Sequence, residues 1–286
     1  MTVCIAAHAR VVSRQCIVCC FDTRIETDVA GSEIGFKLRP LPNGWGALFA
    51  GGVAQADDLI ARYRQHFTGS PPAGSVLLDW LREPAWNYKQ QLIDQYLHTT
   101  YGISRQEFYS EKRGHLGDTV ADQTLYAIAS IKSESELILF RITDDGSEIY
   151  QVSDDFDVSM ERDFCSIGSG GTNADSWLHL REQNALMRRD DTIYALYEAK
   201  KFSEISPAVG KKTYIDVIDH LGKITTLGES QMKELEKRYK RYGPKRIKER
   251  EFALNLEGCM SGTWGPASRG GPPSTFLYAP DPKPKT

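Results

Sequence analysis

The chain has 286 residues, enough for one large domain or a domain with appendages. Its 41% hydrophobic and 26% charged content is that of a globular protein, and a formal net charge of −3 gives no global reason to bind nucleic acid or an acidic membrane. No apolar run approaches the ~18 residues that span a bilayer, and the start MTVCIAAHAR lacks the basic region and long apolar region of a secretory signal, so a cytoplasmic location is expected.

Residues 2–8 and 16–21 are short apolar runs with a polar segment between them, a pattern that predicts a hairpin. Neither run alternates cleanly, so both strands are expected to be covered on two faces. The second run, CIVCCF, holds Cys16, Cys19 and Cys20. Alternate residues of a strand point to opposite faces, so these thiols diverge; with Cys4 they are expected as reduced core residues, not zinc ligands. Residues 25–33 read as loop, and 34–41 and 45–50 as strands around a turn at Pro42, Asn43 and Gly44.

Beyond Gly51 and Gly52, apolar residues Val53, Ala56, Leu59, Ile60, Tyr63 and Phe67 recur at helical spacing, predicting a helix over 53–67. The stretch SPPAGS at 70–75 breaks it. A second helix is predicted over 76–97, with a kink near Pro84. Residues 101–122 are mixed and polar and are expected as an irregular insertion. Strands are predicted over 124–131, 137–143 and 148–152, with Asp144, Asp145 and Gly146 as a hairpin turn.

Residues 164–167 lead into GSGG at 168–171. Helices are predicted over 173–187 and 191–202, the second capped by Asp190 or Asp191. Residues 214–218 and 223–226 are candidate strands, and 229–242 a charged helix. Residues 237–250 carry eight basic side chains. Such a run is expected as a solvated face or subunit contact, with nucleic-acid binding the minor alternative. From residue 262 the chain is rich in Gly and Pro and is expected to be extended.

Strands in blocks flanked by helix pairs predict an α+β fold in which two antiparallel sheets stack face to face with helices outside. The main domain is expected over residues 1–228, with an insertion near 101–122, and a C-terminal helix and Gly/Pro-rich extension over 229–286.

Five residues carry candidate chemistry. If Met1 is removed, Thr2 holds a hydroxyl and a free α-amine on one residue. The pKa of an α-amine is about 7.7–8, so it can take the hydroxyl proton near neutral pH, and nucleophile and base arrive pre-positioned. Asp22 closes the second strand. Lys37 is a lone cation in the apolar run IGFKL; buried there it needs a partner, and Asp22 is the natural one. The run FAGGV puts Gly51 where a strand gives way to a helix, and backbone N–H groups at such a junction can hold an oxyanion. Ser169 lies in GSGG, which lacks the Lys of a phosphate-binding P-loop. The histidines His8, His66, His98, His115, His179 and His220 show no metal-ligand spacing. No metal or cofactor is expected.

The Met-Thr start, the D-x-R of Asp22 to Arg24, a strand Lys some fifteen residues on, FAGG and then IGSGG resemble, in order and spacing, the proteasome β-type family of N-terminal-nucleophile hydrolases. Bacterial proteasome-like proteins of the HslV and Anbu type are nearest in pattern, and the similarity covers roughly residues 2–68 and 123–220. The resemblance implies a four-layer αββα sandwich and a threonine peptidase working through an acyl-enzyme. Thr2 would be the nucleophile, Lys37 the cation that lowers its pKa, Asp22 the carboxylate paired with Lys37, Gly51 the oxyanion donor, and Ser169 a proton relay near the amine. Residues 25–27 would line the substrate groove. Peptide or unfolded protein is the implied substrate, in a homo-oligomeric ring or helical stack that encloses the nucleophiles; an ATPase or other regulator is left open. One departure is SPAVG, which puts Ser206 and Val209 where active members carry Asp and Ser. The rival readings are an inactive structural subunit and a binding module using the basic C-terminal extension.

Overall fold

The N-terminal hairpin extends beyond its apolar runs. Strand β1 (Cys4–Val11) pairs antiparallel with β2 (Arg14–Asp22), Cys4 opposite Phe21 and Val11 opposite Arg14. The computed structural model describes residues 2–23, 25–26, 31–32, 37–112 and 116–244. Residues 25–33, read as loop, contain the two-residue strands β3 (Ile25–Glu26) and β4 (Gly31–Ser32), which pair with each other. Of the strand expected over 34–41, the described part is β5 (Leu38–Pro40), which pairs with β6 (Trp45–Gly51).

Helix α1 (Val53–His66) follows as predicted. Helix α2 (Val76–Tyr101) is longer than expected and contains Pro84 without ending there. Residues 101–131 bring the main corrections. The polar stretch holds a short helix α3 (Arg105–Glu107), a π-helical turn (Phe108–Lys112) and helix α4 (Asp118–Ala129). The strand expected over 124–131 is therefore the second half of α4. Its buried residues Ala121, Thr124 and Ile128 follow helical spacing, whereas the run TLYAIASI has no decisive period of its own. Phe108 and Ile128 pack with Ile93, Leu97 and Ile103 in a satellite core around the end of α2.

Strands β7 (Ser135–Thr143), β8 (Gly146–Val152), β9 (Val158–Glu161) and β10 (Phe164–Ile167) come next. The short strand β9, half of it exposed, was not foreseen. Helix α5 (Gly171–Leu180) starts earlier and stops well short of 187. Helix α6 (Arg189–Ser203) has Arg188 as its N-cap with no side-chain cap, so Asp190 and Asp191 lie inside its first turn. Strands β11 (Thr213–Ile218) and β12 (Ile224–Thr226) and helix α7 (Glu229–Tyr242) complete the described elements.

Two five-stranded antiparallel sheets result, with orders β10-β1-β2-β11-β12 and β5-β6-β7-β8-β9. Both faces of β1 and β2 are apolar for a visible reason. Cys4, Ala6, Ile17, Cys19 and Phe21 point into a cluster shared with Leu48, Ala50, Ile138 and Phe140 of the other sheet. Ile5, Ala7, Cys16, Val18 and Cys20 point the opposite way, onto Trp177, Leu178, Leu196 and Ala199 of α5 and α6. A third cluster joins Ala47 and Phe49 of β6 to Leu59, Tyr63, Leu81 and Tyr88 of α1 and α2. Strands packed on two faces lose the polar alternation of a half-exposed sheet. The five described cysteines are buried and free.

Helix α7 lays Met232, Leu235 and Tyr239 against the cluster beside α6. Its basic residues are partly paired along the helix, Lys233 with Glu229 and Lys240 with Glu236, each at 2.7 Å. The rest of the basic run and the Gly/Pro-rich tail lie outside the described residues. Among those described, no helix is long and apolar enough to cross a membrane.

Asp216 on β11 is fully buried; its Oδ1 accepts from Thr226 Oγ1 at 2.5 Å, while Oδ2 has no hydrogen-bond partner among the described residues. Burial raises its carboxyl above the usual range, the Thr226 bond opposing. A raised carboxyl costs stability only above its unfolded pKa, because there the unfolded chain ionises and the folded one resists. Asp216→Asn should therefore gain on the wild type in stability as pH rises through the carboxylate range to 7. The gain should shrink as pH falls towards 4, read by urea unfolding at both pH values.

Candidate active site

Thr2 precedes β1 and is almost fully buried, held by its backbone as much as by its side chain. Its carbonyl accepts from the Gly170 N–H at 3.2 Å and, more weakly, from Ser169 Oγ at 3.4 Å. The turn supplying these donors has to come close. A Cβ on Gly168, whose φ is 86°, would lie 2.4 Å from the Thr2 oxygen and 3.0 Å from the Ala50 Cβ. Only glycine fits there. The Gly168 N–H donates to Glu136 Oε2 at 2.8 Å, tying this turn to β7.

The Thr2 hydroxyl donates to Asp22 Oδ1 at the end of β2. Lys37 Nζ lies 2.5 Å from the same oxygen. The ion pair expected for a lysine inside an apolar run is thus present, with Lys37 at 1% and Asp22 at 0% exposure. The second carboxylate oxygen accepts from the Gly210 N–H at 2.6 Å. Both oxygens of the buried carboxylate are used, as its survival in the interior requires.

Three of the five sequence candidates, Thr2, Asp22 and Lys37, therefore share one carboxylate oxygen. Ser169, expected near the Thr2 amine, donates to the Thr2 carbonyl. Gly51 ends β6 at φ 96°, against the Glu134 carbonyl and Ser135 of β7. Its neighbour Ala50 crowds the same point over Gly168 as the Thr2 carbonyl. Residue 1 and Arg24 lie outside the described residues, as do the side chains of 25–27 expected to line a substrate groove.

The SPAVG departure has a structural outcome. Val209 is buried in the apolar cluster under the first sheet, and the Ser206 N–H turns back to the Ser203 carbonyl. The loop meets Asp22 through the backbone of Gly210 instead of through a side chain. Gly210 and Gly170 were both missed from sequence, because a donating backbone N–H leaves no mark in residue type. Lys200, which bonds the Gly210 carbonyl at 2.7 Å, was missed because a Lys-Lys pair on a helix reads as a solvated face.

A neighbouring nucleophile can be set aside. The Cys4 thiol donates to the Phe49 carbonyl at 3.2 Å. Burial pushes its pKa up to about 12, against the pull of Lys37, so it stays protonated. The His8 ring lies between Ser147 Oγ at 2.6 Å and the Glu161 carbonyl at 3.3 Å, and burial lowers its pKa. It is a hydrogen-bonded core residue. Among the described residues no group of His, Cys, Asp and Glu is placed to hold a metal ion.

Chemically, the arrangement presents a hydroxyl whose oxygen sits within reach of a desolvated carboxylate–ammonium pair. Comparison with known protein families and with curated proteins returns no match.

Proposed function

We propose that this chain is a threonine-type amidohydrolase whose nucleophile is Thr2, resembling the proteasome β-type family and built on its four-layer αββα sandwich. The observation that carries the reading is the single Asp22 oxygen that receives both the Thr2 hydroxyl and the Lys37 ammonium. A buried Lys–Asp pair costs desolvation and is weak evidence of a stability role. A threonine hydroxyl held against it gives the pair a chemical use.

The reaction follows from these groups. While residue 1 is attached, the Thr2 nitrogen is an amide and cannot act as base. Cleavage of the bond before Thr2 frees an α-amine, which accepts the hydroxyl proton as Oγ1 attacks a peptide carbonyl. Lys37 lowers the cost of the developing alkoxide, and Asp22 holds Lys37 in place. The Gly51 N–H is the donor assigned to the oxyanion. Collapse breaks the C–N bond, and the leaving amine takes the proton held by the α-amine. Water then attacks the ester carbonyl, passing a proton to the α-amine; the acyl–oxygen bond breaks, Oγ1 takes that proton back, and the acid is released.

By the same resemblance the substrate is a peptide or unfolded protein, and the working form a homo-oligomeric ring or helical stack that screens Thr2 from folded proteins. Thr2→Ala tests the reading. Against a fluorogenic peptide set, it should lower turnover about 10³-fold or more and lower the melting temperature by only a few degrees, since Lys37 and Gly210 still hold Asp22. Equal turnover by both proteins would remove Thr2 from the mechanism.

A further inference from the structure

Helix α6 buries polar groups as well as apolar ones, and Lys200 is the largest of them. It has no exposed surface, lying on the side of α6 that faces the first sheet. Its three ammonium protons are all used. They go to Glu204 Oε1 at 2.5 Å, to the Gly210 carbonyl at 2.7 Å and to the Lys211 carbonyl at 3.0 Å. Burial lowers the pKa of this ammonium while Glu204 pulls it back up. Glu204 is also held by Lys201 at 2.9 Å.

Gly210 is thus gripped from both ends. Its N–H points at Asp22 Oδ2 and its carbonyl at Lys200. Val209, the residue before it, is fixed in the apolar cluster, and the Val209 N–H bonds the Ser206 carbonyl. A residue whose two flanking peptide groups are each held by a buried charge has little freedom to turn. An unbranched apolar side chain at 200 would satisfy packing alone, so the ammonium has a further task.

We infer that Lys200 is a positioning residue for the Thr2 nucleophile: by anchoring the Gly210 and Lys211 carbonyls it aims the Gly210 N–H at Asp22, and so fixes the carboxylate that Thr2 and Lys37 share. This inference rests on the reading of Thr2 as nucleophile. Without that grip the loop carrying Gly210 relaxes, Oδ2 loses its donor, and the carboxylate turns. A shift of about 1 Å in such a group can cost up to 10²-fold in rate.

The test compares wild type with Lys200→Met, which keeps length and loses every donor, and Lys200→Gln, which keeps two. Two readings are taken on each: kcat and KM on a fluorogenic peptide, and the Gly210 amide proton resonance, which a bond to a carboxylate moves downfield. Lys200→Met should lower kcat about tenfold or more, hold KM within about twofold, and move the Gly210 resonance towards its position in Asp22→Asn. Lys200→Gln should fall between, and serves alone if Lys200→Met does not fold. A lower melting temperature with kcat and the Gly210 resonance unchanged would overturn the proposal. Wild type without turnover would overturn the nucleophile reading instead, and the Gly210 resonance still decides whether Lys200 aims that amide.

Discussion

Lys37→Met is expected to lose about 3–5 kcal/mol of stability, because it leaves the Asp22 carboxylate buried without its ammonium. Thr2 and Gly210 still donate to Asp22, but neither carries a charge. Equilibrium urea unfolding measures the loss. Asp22→Leu should cost a similar amount by stranding the Lys37 ammonium, whose exposure is 1%. The double variant should cost far less than the two singles added, since a buried pair replaced by apolar groups of similar size is often neutral or better. Additive losses would mean that the two side chains do not act as a pair. Turnover separates fold from chemistry. The double variant should recover the part of the loss due to the unpaired charge, though not the hydrogen bonds from Thr2 and Gly210, and stay inactive, because the proposed role of the pair is to stabilise the Thr2 alkoxide.

Gly51→Ala is expected to lose both stability and activity. At φ 96° an L residue is strained, and its Cβ would sit 2.3 Å from the Glu134 carbonyl oxygen and 2.9 Å from the Ser135 Cα. Both obstacles are backbone at the entry to β7, so β6 must shift. The strain is about 2–3 kcal/mol, and displacing the assigned oxyanion donor should lower kcat about 10²–10³-fold. Gly44→Ala is the control. Gly44 also has a positive φ, 75°, but open space where its Cβ would be. It should cost about 1 kcal/mol and leave turnover alone. Equal turnover losses in the two variants would show that strain alone, not the position of Gly51, sets the rate.

The two-sheet architecture was legible where side chains carried a period or a contradiction of one. β1 and β2 read as doubly covered strands because Cys4 to Ala7 and Cys16 to Phe21 are apolar on both faces, and the clusters on either side explain why. Helix α1 was legible from Ala56, Leu59, Ile60 and Tyr63, one buried stripe at helical spacing. Helix α4 was not. TLYAIASI fits a strand or a buried helix equally, and what settles it, the satellite core with Phe108 and Ile103, comes from a segment too polar to suggest any core. The ends of α5 and α6 were misplaced because no side-chain cap marks them.

At the site, Lys37 announced itself, since a lysine among Ile, Phe and Leu demands an anion, and Asp22 stood at a strand end to supply one. Gly170 and Gly210 could not be read this way. They act through N–H groups that every residue except proline possesses, and only the tertiary fold selects which of them point at Thr2 and Asp22. Lys200 was hidden by its neighbour: Lys201 is partly exposed beside it, and nothing in the pair YEAKKFS says which lysine turns inward.

The proposed mechanism requires Thr2 to become a free N-terminal nucleophile. Intact-mass spectrometry of the purified protein, before and after an electrophile that bridges a vicinal hydroxyl and amine, tests it most directly. The purified chain should begin at Thr2 and gain one adduct, located on Thr2 by peptide mapping. A chain still joined to residue 1, or one with a free Thr2 that stays unmodified, would contradict it.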